Sequence, residues 1–476
     1  MKLADYVRVD AVGLAAAIRT GEITVDEAID AARRACSAVN PSLNAVLEFY
    51  ADPILPASMS DGPFAGVPIL RKDTGAAEAG RLQEHGSRLM AGHRPAVDSN
   101  YVHSCRRAGL VIVGRSATPE FAFSSATESV LAGITRNPWD PSRMAGGSSG
   151  GAAAAVAAGI VPMAHGSDGG GSIRIPAAAC GVVGLKPSRG RISQGPDGAD
   201  ALLGLSEEFV VCRSIRDVAA ALDTLGVPQS GDPFVIPTPA GTFAAAAAAA
   251  PRGLRIAVCV EGWGDDGVDR EIAAAVLRAA RSCEQAGHIV ELASPRFDFD
   301  AMLRVLTDCF AFGLTGLRDA ALKLGRRPGP ELLEPVTHAN WLLAERMTGR
   351  DIDAALSVAN SLRRSVGGFF ERYDVLITPT LANLPPVHGR YSQSRRDVEP
   401  FAFMRDLQYT DQFLPIFNIT GQPALSIPYA RASAGLPIGV QLVGRLARED
   451  LILALGQQLL ASVPGLGVPP VWAGDW

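Results

Sequence analysis

Two serines lie in glycine-rich stretches, and a lysine lies well upstream of both. Ser148 sits in Gly146-Gly147-Ser148-Ser149-Gly150-Gly151, and Ser172 in Asp168-Gly169-Gly170-Gly171-Ser172-Ile173-Arg174. They are 24 positions apart (172 minus 148), and Lys72 follows the apolar run Gly66-Val67-Pro68-Ile69-Leu70 closely. Two hydroxyls, one amine and a row of bare backbone amides are the parts from which amide cleavage can be built without histidine or metal. An amide is a poor electrophile with a poor leaving group. Cleaving one takes an activated nucleophile, a stabiliser for the tetrahedral oxyanion and an acid for the departing nitrogen. Ser172 is the candidate nucleophile. The three glycines before it have no side chains to keep the N–H groups of Gly169, Gly170, Gly171 and Ser172 from converging on one point as an oxyanion hole. A helix starting near Ile173 would add the positive end of its dipole. Lys72 can accept a proton only when uncharged, and burial lowers a lysine pKa by up to ~3–5 units.

Each residue also has a plainer reading. A lysine after a strand is most often a solvated charge, and Gly-Gly-Ser-Ser-Gly-Gly alone is a flexible loop or an anion nest. Asp168 and Arg174 read as an ion pair holding the glycine loop, with Ser149 hydrogen-bonded to it. Gly146 to Gly150 also matches Gly-x-Ser-x-Gly, the nucleophile elbow, but that elbow must follow a buried strand. The preceding Asn137-Pro138-Trp139-Asp140-Pro141-Ser142-Arg143 spells a loop. The seven histidines form no His-Glu-x-x-His, and neither a Walker loop nor a dinucleotide Gly-x-Gly-x-x-Gly follows a strand. No metal and no cofactor are therefore expected.

The elements that must position these groups read as an α/β layering. Asp10 and Thr24 are N-cap candidates, Thr24-Val25-Asp26-Glu27 fits a capping box, and Asn40-Pro41 should end the second helix. Between residues 60 and 235, Val67–Leu70 and Leu110–Val113 read as strands and Ala152–Ala158 as a helix. Ala244–Ala250 suggests a surface helix or linker. Leu254–Val260, His288–Leu292, Asp374–Thr378, Leu425–Pro428 and Gly439–Val443 read as strands, with helices over Asp269–Ala286, most of 300–372 and Glu449–Leu460. The sheet is expected to draw strands from both ends of one domain.

Composition excludes several classes. A chain of 476 residues with 47% hydrophobic content can bury a sizeable core, and a net charge of −5 argues against a nucleic-acid surface. The seven cysteines are odd in number and widely spaced, without a Cys-x-x-Cys pair, and read as reduced thiols of a cytoplasmic protein. No signal peptide is visible, and the most apolar stretch, Ala152–Ala164, is too short to span a bilayer.

The run from Arg143 through Arg191, ending in Cys180-Gly-Val-Val-Gly-Leu-Lys186-Pro-Ser-Arg-Gly190, resembles the amidase signature family of serine hydrolases. So do Phe64-Ala-Gly-Val-Pro68, Thr118-Pro-Glu120, Arg213-Ser-Ile-Arg-Asp217, Asp374-Val-Leu-Ile-Thr-Pro379, Phe417-Asn-Ile-Thr-Gly-Gln-Pro423 and the segment Gly435–Gly444. The resemblance implies the amidase signature fold, a central mixed twisted sheet covered by helices on both faces. It implies one domain over 1–476, with a signature core over about 60–235 and 400–476 and a variable specificity region over about 252–400. It also implies a Ser-Ser-Lys triad working through an acyl-enzyme: Ser172 as nucleophile, Ser148 as relay on a cis peptide, and Lys72 as base.

Within the family, Gly-Arg-Ile-Ser-x-Gly-Pro at 190–196 and Ala164-His165-Gly166 resemble the amidases related to 6-aminohexanoate-cyclic-dimer hydrolase. That implies hydrolysis of a non-peptide carboxylic amide, of linear or cyclic aminohexanoate type. The partner is then a small-molecule amide, with no nucleic acid or membrane, and a second copy of the chain is the candidate protein partner. The alternatives are an amidotransferase-type subunit releasing ammonia from glutamine, and an esterase. The amidotransferase subgroup's usual Asp-Thr-Gly-Gly-Ser is not kept, since the chain reads Asp168-Gly169-Gly170-Gly171-Ser172 there. Ser149 is a substrate-binding candidate, and so by resemblance is Cys309, although a buried helix thiol is the commoner reading of such a cysteine. Phe123, in Phe121-Ala122-Phe123, stands where relatives carry smaller residues and would narrow the pocket.

Overall fold

Short buried strands build the sheet that carries the site. A computed structural model describes residues 1–56, 62–198, 200–396 and 398–475. Its strands, in chain order, are β1 (Val46–Phe49), β2 (Pro68–Lys72), β3 (Val111–Ser116), the short pair β4 (Glu128–Ser129) and β5 (Gly133–Ile134), β6 (Met163–Asp168), β7 (Val183–Lys186), β8 (Glu207–Cys212), β9 (Arg255–Val258), β10 (Ile289–Leu292), β11 (Val375–Pro379), β12 (Ala424–Arg431) and β13 (Pro437–Gly444). Apart from β4 and β5, which pair with each other, they form one eleven-stranded sheet in the order β1-β3-β2-β6-β8-β7-β12-β13-β11-β9-β10. The sheet is mixed: β2 runs parallel to β3 and β6, β8 is antiparallel to β6 and β7, and β9 is parallel to β10 and β11.

Period-two alternation splits the core between the two faces. Ile256, Val258, Val375, Ile377 and Leu442 pack on one face, with the helices Ile215–Leu225, Arg270–Gln285 and Glu449–Ala461. Ala257, Leu376 and Val443 point the other way, into a second cluster with the helices Phe299–Phe312, Pro335–Ala344, Gly349–Arg372 and Pro400–Asp411. Helices thus cover both faces, as expected. No described helix is long and apolar enough to cross a membrane.

The Thr24 capping box forms, with Thr24 Oγ1 accepting from Glu27 N and Glu27 returning the bond to Thr24 N. That helix does not stop at Pro41 but runs through it to Leu43. Asn40 makes this tolerable: its Oδ1 accepts from Ala45 N and Val46 N, its Nδ2 donates to Val46 O, and Asn44 turns into the left-handed region at φ 51°. The alanine run yields only a five-residue helix, Phe243–Ala247. The helix Gly150–Ala157 is buried along its whole length. Its small residues allow this, because a Cβ on Gly151 would come within 2.4 Å of Ala117 N and 2.6 Å of Ala45 O.

Candidate active site

Lys72 ends β2, a strand buried at every position, and its own side chain is fully buried. Its Nζ donates to Ser148 Oγ at 2.7 Å and to Ser167 Oγ at 2.9 Å. No carboxylate among the described residues forms an ion pair with it. Burial pulls the amine from its ordinary 10.5 down to about 7, against the raising fields of Glu208 and Asp168.

Ser148 follows a cis Gly147–Ser148 peptide. Position 147 admits only glycine, since a Cβ would lie 2.7 Å from Ser124 O. The neighbouring Ser149 N donates to Ser172 O at 3.2 Å and so ties the two serine segments together. Ser149 Oγ donates to Ser167 O and accepts from Ser167 N, both at 3.3 Å, which makes it a brace between loop and strand. Lys72 and Ser148 are in direct contact, whereas no hydrogen bond joins Ser148 Oγ to Ser172 Oγ among the described residues.

The glycine loop is held by Asp168. This carboxylate accepts from Gly171 N at 2.7 Å and Ile173 N at 3.2 Å, and meets Arg174 through two side-chain bonds of 2.9 Å. Asn418 Nδ2 clamps Asp168 O and Oδ1, and Arg174 reaches on to Asn418 Oδ1 and Gln441 Oε1. Burial alone would raise the Asp168 pKa, but the Arg174 guanidinium outweighs it and holds the carboxyl well below the usual range. This corrects one expectation. The amides of Gly171, Ile173 and Arg174 donate to Asp168, so neither Gly171 nor the first amide of the helix Arg174–Cys180 is free to hold an oxyanion. The amides of Gly169, Gly170 and Ser172 donate to no acceptor among the described residues. Arg174→Ala should cost about 3–5 kcal/mol of stability, because it strands a buried carboxylate; urea unfolding would read the loss.

Ser172 is 8% exposed and opens on a small cavity of about 30 Å³ that Gly170, Phe123, Leu306 and Phe310 also line. Phe123 meets Phe310 edge to face, with centroids 5.1 Å apart. Cys309 lies on the same helix as Leu306 and Phe310 but is not among the cavity's lining residues. Burial pushes its thiol up to about 12.

Sequence reasoning missed Asp411, which lines this cavity and accepts from the hydroxyls of Ser125 and Thr410. Burial pushes its carboxyl up to about 7. It sits in Tyr409-Thr410-Asp411-Gln412, a stretch with no motif to single it out. Ser167, the second partner of Lys72, lies inside the signature run but was passed over in favour of the two serines set among glycines.

The profile of the Amidase family matches residues 27–453. The 6-aminohexanoate-cyclic-dimer hydrolase of Paenarthrobacter ureafaciens is 37% identical over 475 residues, covering 97% of this chain and 96% of its own. The enzyme of the same name from Pseudomonas sp. (strain NK87) is 36% identical with the same coverage. Among solved structures, a 6-aminohexanoate cyclic dimer hydrolase complexed with substrate superposes with a TM-score of 0.88 at 34% identity, covering 98% of this chain and 99% of the other. A bacterial aryl acylamidase gives 0.84 at 25% identity, covering 96% of each chain.

Proposed function

This chain belongs to the amidase signature family, and from that we propose that it hydrolyses a non-peptide carboxylic amide through Ser172, Ser148 and Lys72. The observation that carries the reading is the contact of 2.7 Å between a fully buried lysine amine, pulled down to about 7, and the Ser148 hydroxyl. A lysine in that state can take a proton near neutral pH, which a solvated one cannot.

In this reading Ser172 Oγ attacks the carbonyl carbon while its proton passes to Ser148 Oγ, and the Ser148 proton passes to Lys72 Nζ. The amides of Gly169, Gly170 and Ser172 receive the oxyanion. The loss of one such donor typically costs about 10²–10³ in rate. The C–N bond then breaks, and the leaving nitrogen takes a proton back through Ser148 from Lys72. Water, deprotonated along the same path, cleaves the Ser172 ester and releases the acid. The substrates named for the two hydrolases, cyclic aminohexanoate dimers, are the starting class to assay. An active-site-directed fluorophosphonate should label Ser172; labelling that persists on Ser172→Ala would refute the nucleophile.

Phe123 bears on substrate size, since its edge contact with Phe310 closes the cavity beside Ser172. Phe123→Ala should lower stability by about 3–5 kcal/mol. It should also raise kcat/KM for bulky acyl groups relative to acetyl. Thermal melts and a series of acyl anilides check the two effects separately.

A further inference from the structure

A second, larger cavity, of about 350 Å³, begins where the small one ends. The two share Ala122, and the larger is lined also by Thr74, Gly75, Ser167, Glu208, Phe121 and Leu202. Ser167 is the residue whose hydroxyl holds Lys72 Nζ at 2.9 Å. The leaving nitrogen must collect its proton from the Lys72 side, so the cavity that Ser167 lines is on the side where the departing amine would lie.

Charge in this cavity is one-sided. Among the described residues its lining contains Asp98, Asp197 and Glu208 and no Lys, Arg or His. Asp98 is already paired with Arg106 and the Ala79 amide. Asp197 is exposed at the rim. Glu208 is different: it is only 8% exposed, yet neither of its carboxylate oxygens takes part in a hydrogen bond among the described residues. Its carboxylate lies against Gly75, where a Cβ would come within 2.3 Å of Oε1.

His165 Nε2 is 3.4 Å from Glu208 Oε2 and likewise has no hydrogen-bond partner. With Nδ1 accepting the Lys72 backbone N–H at 3.1 Å, the proton of the neutral ring sits on Nε2 and faces Glu208 as a dipole, not as a counter-ion. With Lys72 neutral, as the catalytic reading requires, Glu208 faces the cavity without a positive partner. A buried carboxylate in that position is costly unless a ligand supplies the charge.

We propose that this cavity is the leaving-group subsite and takes an amine whose far end is a second, protonated amine, paired with Glu208. The inference rests on the catalytic reading above. The substrate class is the monoacylated diamine with its free amine protonated; with one water it gives the carboxylic acid and the singly protonated diamine. The C–N bond breaks, the oxygen of water goes to the acyl carbon, and the leaving nitrogen gains one proton. The same charge pattern disfavours a leaving group that ends in a carboxylate, as that of a linear aminohexanoate oligomer does. A cation beside Glu208 would also cancel the field that holds Lys72 protonated, so binding would favour the uncharged base.

The test compares N-(5-aminopentyl)butanamide with N-hexylbutanamide, which have the same acyl group and leaving groups of matched length, at a pH of about 8 where the free amine is charged. The wild-type kcat/KM should favour the cationic amide by about tenfold or more. The ratio should fall toward one in Glu208→Gln and fall partway in Asp197→Asn, a rim substitution that leaves the buried wall intact. Equal rates for the two amides in the wild type would overturn the proposal, as would a preference that survives in both variants. Calorimetry with 1,5-diaminopentane separates this from the catalytic reading. Binding to the wild type that is lost in Glu208→Gln supports the subsite even if neither amide is cleaved and Ser172 takes no label. No binding to the wild type rejects the subsite while leaving Ser172, Ser148 and Lys72 untouched.

Discussion

Ser172→Ala is expected to lower kcat by about 10⁴-fold or more, with KM little changed and the fluorophosphonate label lost. The effect is large because the hydroxyl forms the covalent intermediate, so no neighbouring group can do its work at a reduced rate. Ser148 cannot replace it: its oxygen is held at 2.7 Å from Lys72 Nζ and is absent from the lining of the small cavity onto which Ser172 opens. Groups that work as one unit are not additive, so Ser172→Ala combined with Lys72→Ala should be no slower than the worse single variant. Steady-state kinetics of the two singles and the double would measure this. A double variant slower by the product of the two single losses would mean that the residues act independently.

Lys72→Ala and Lys72→Arg are both expected to lose several orders of magnitude in kcat/KM. Alanine removes the base, and arginine keeps a charge that cannot be given up. The wild-type pH profile carries the sign. The amine accepts a proton only when neutral, and burial places its midpoint at about 7. kcat/KM should therefore rise about tenfold per pH unit below that midpoint and level off above it, since this ratio reports the free enzyme. An ordinary solvated lysine would put the same limb near 10.4. Asp411, pushed up to about 7 as well, titrates in this range at the wall of the small cavity, and Asp411→Asn separates its contribution. The limb should persist in that variant.

The parts of the site that could be read in the sequence were those with a local signature. The glycines around Ser148 stand where backbone approaches backbone, as the Cβ clearances at Gly147 and Gly151 show, whereas those before Ser172 make room for the side chains of Leu202, Phe310 and Leu414. The strands at Val111 and Val375 announced themselves by β-branched runs. At the centre of the sheet, β6 did not. β6 reads Met-Ala-His-Gly-Ser-Asp, with no β-branched residue, and is a strand only because β2 and β8 pair with its two edges. The burial of Lys72 was a condition that sequence could state but not settle.

The fate of the loop amides was hidden for a related reason. Asp168 and Arg174 were legible as an ion pair, but which amides the carboxylate would also take depends on the turn at Gly171, whose φ is 127°. Glu208 and Asp411 were invisible as site residues because neither belongs to a motif. They reach their cavities through β8 and through the end of the helix Pro400–Asp411, elements remote in sequence from the serines.

The chain has only four lysines, Lys2, Lys72, Lys186 and Lys323, so the ionisation of one amine can be followed directly. An NMR titration of the lysine Cε signals, with Lys72 assigned by its loss in Lys72→Met, should show that resonance changing with a midpoint near 7. A Lys72 signal that titrates near 10 would mean that the amine is charged at neutral pH, and that it cannot be the base that activates Ser172.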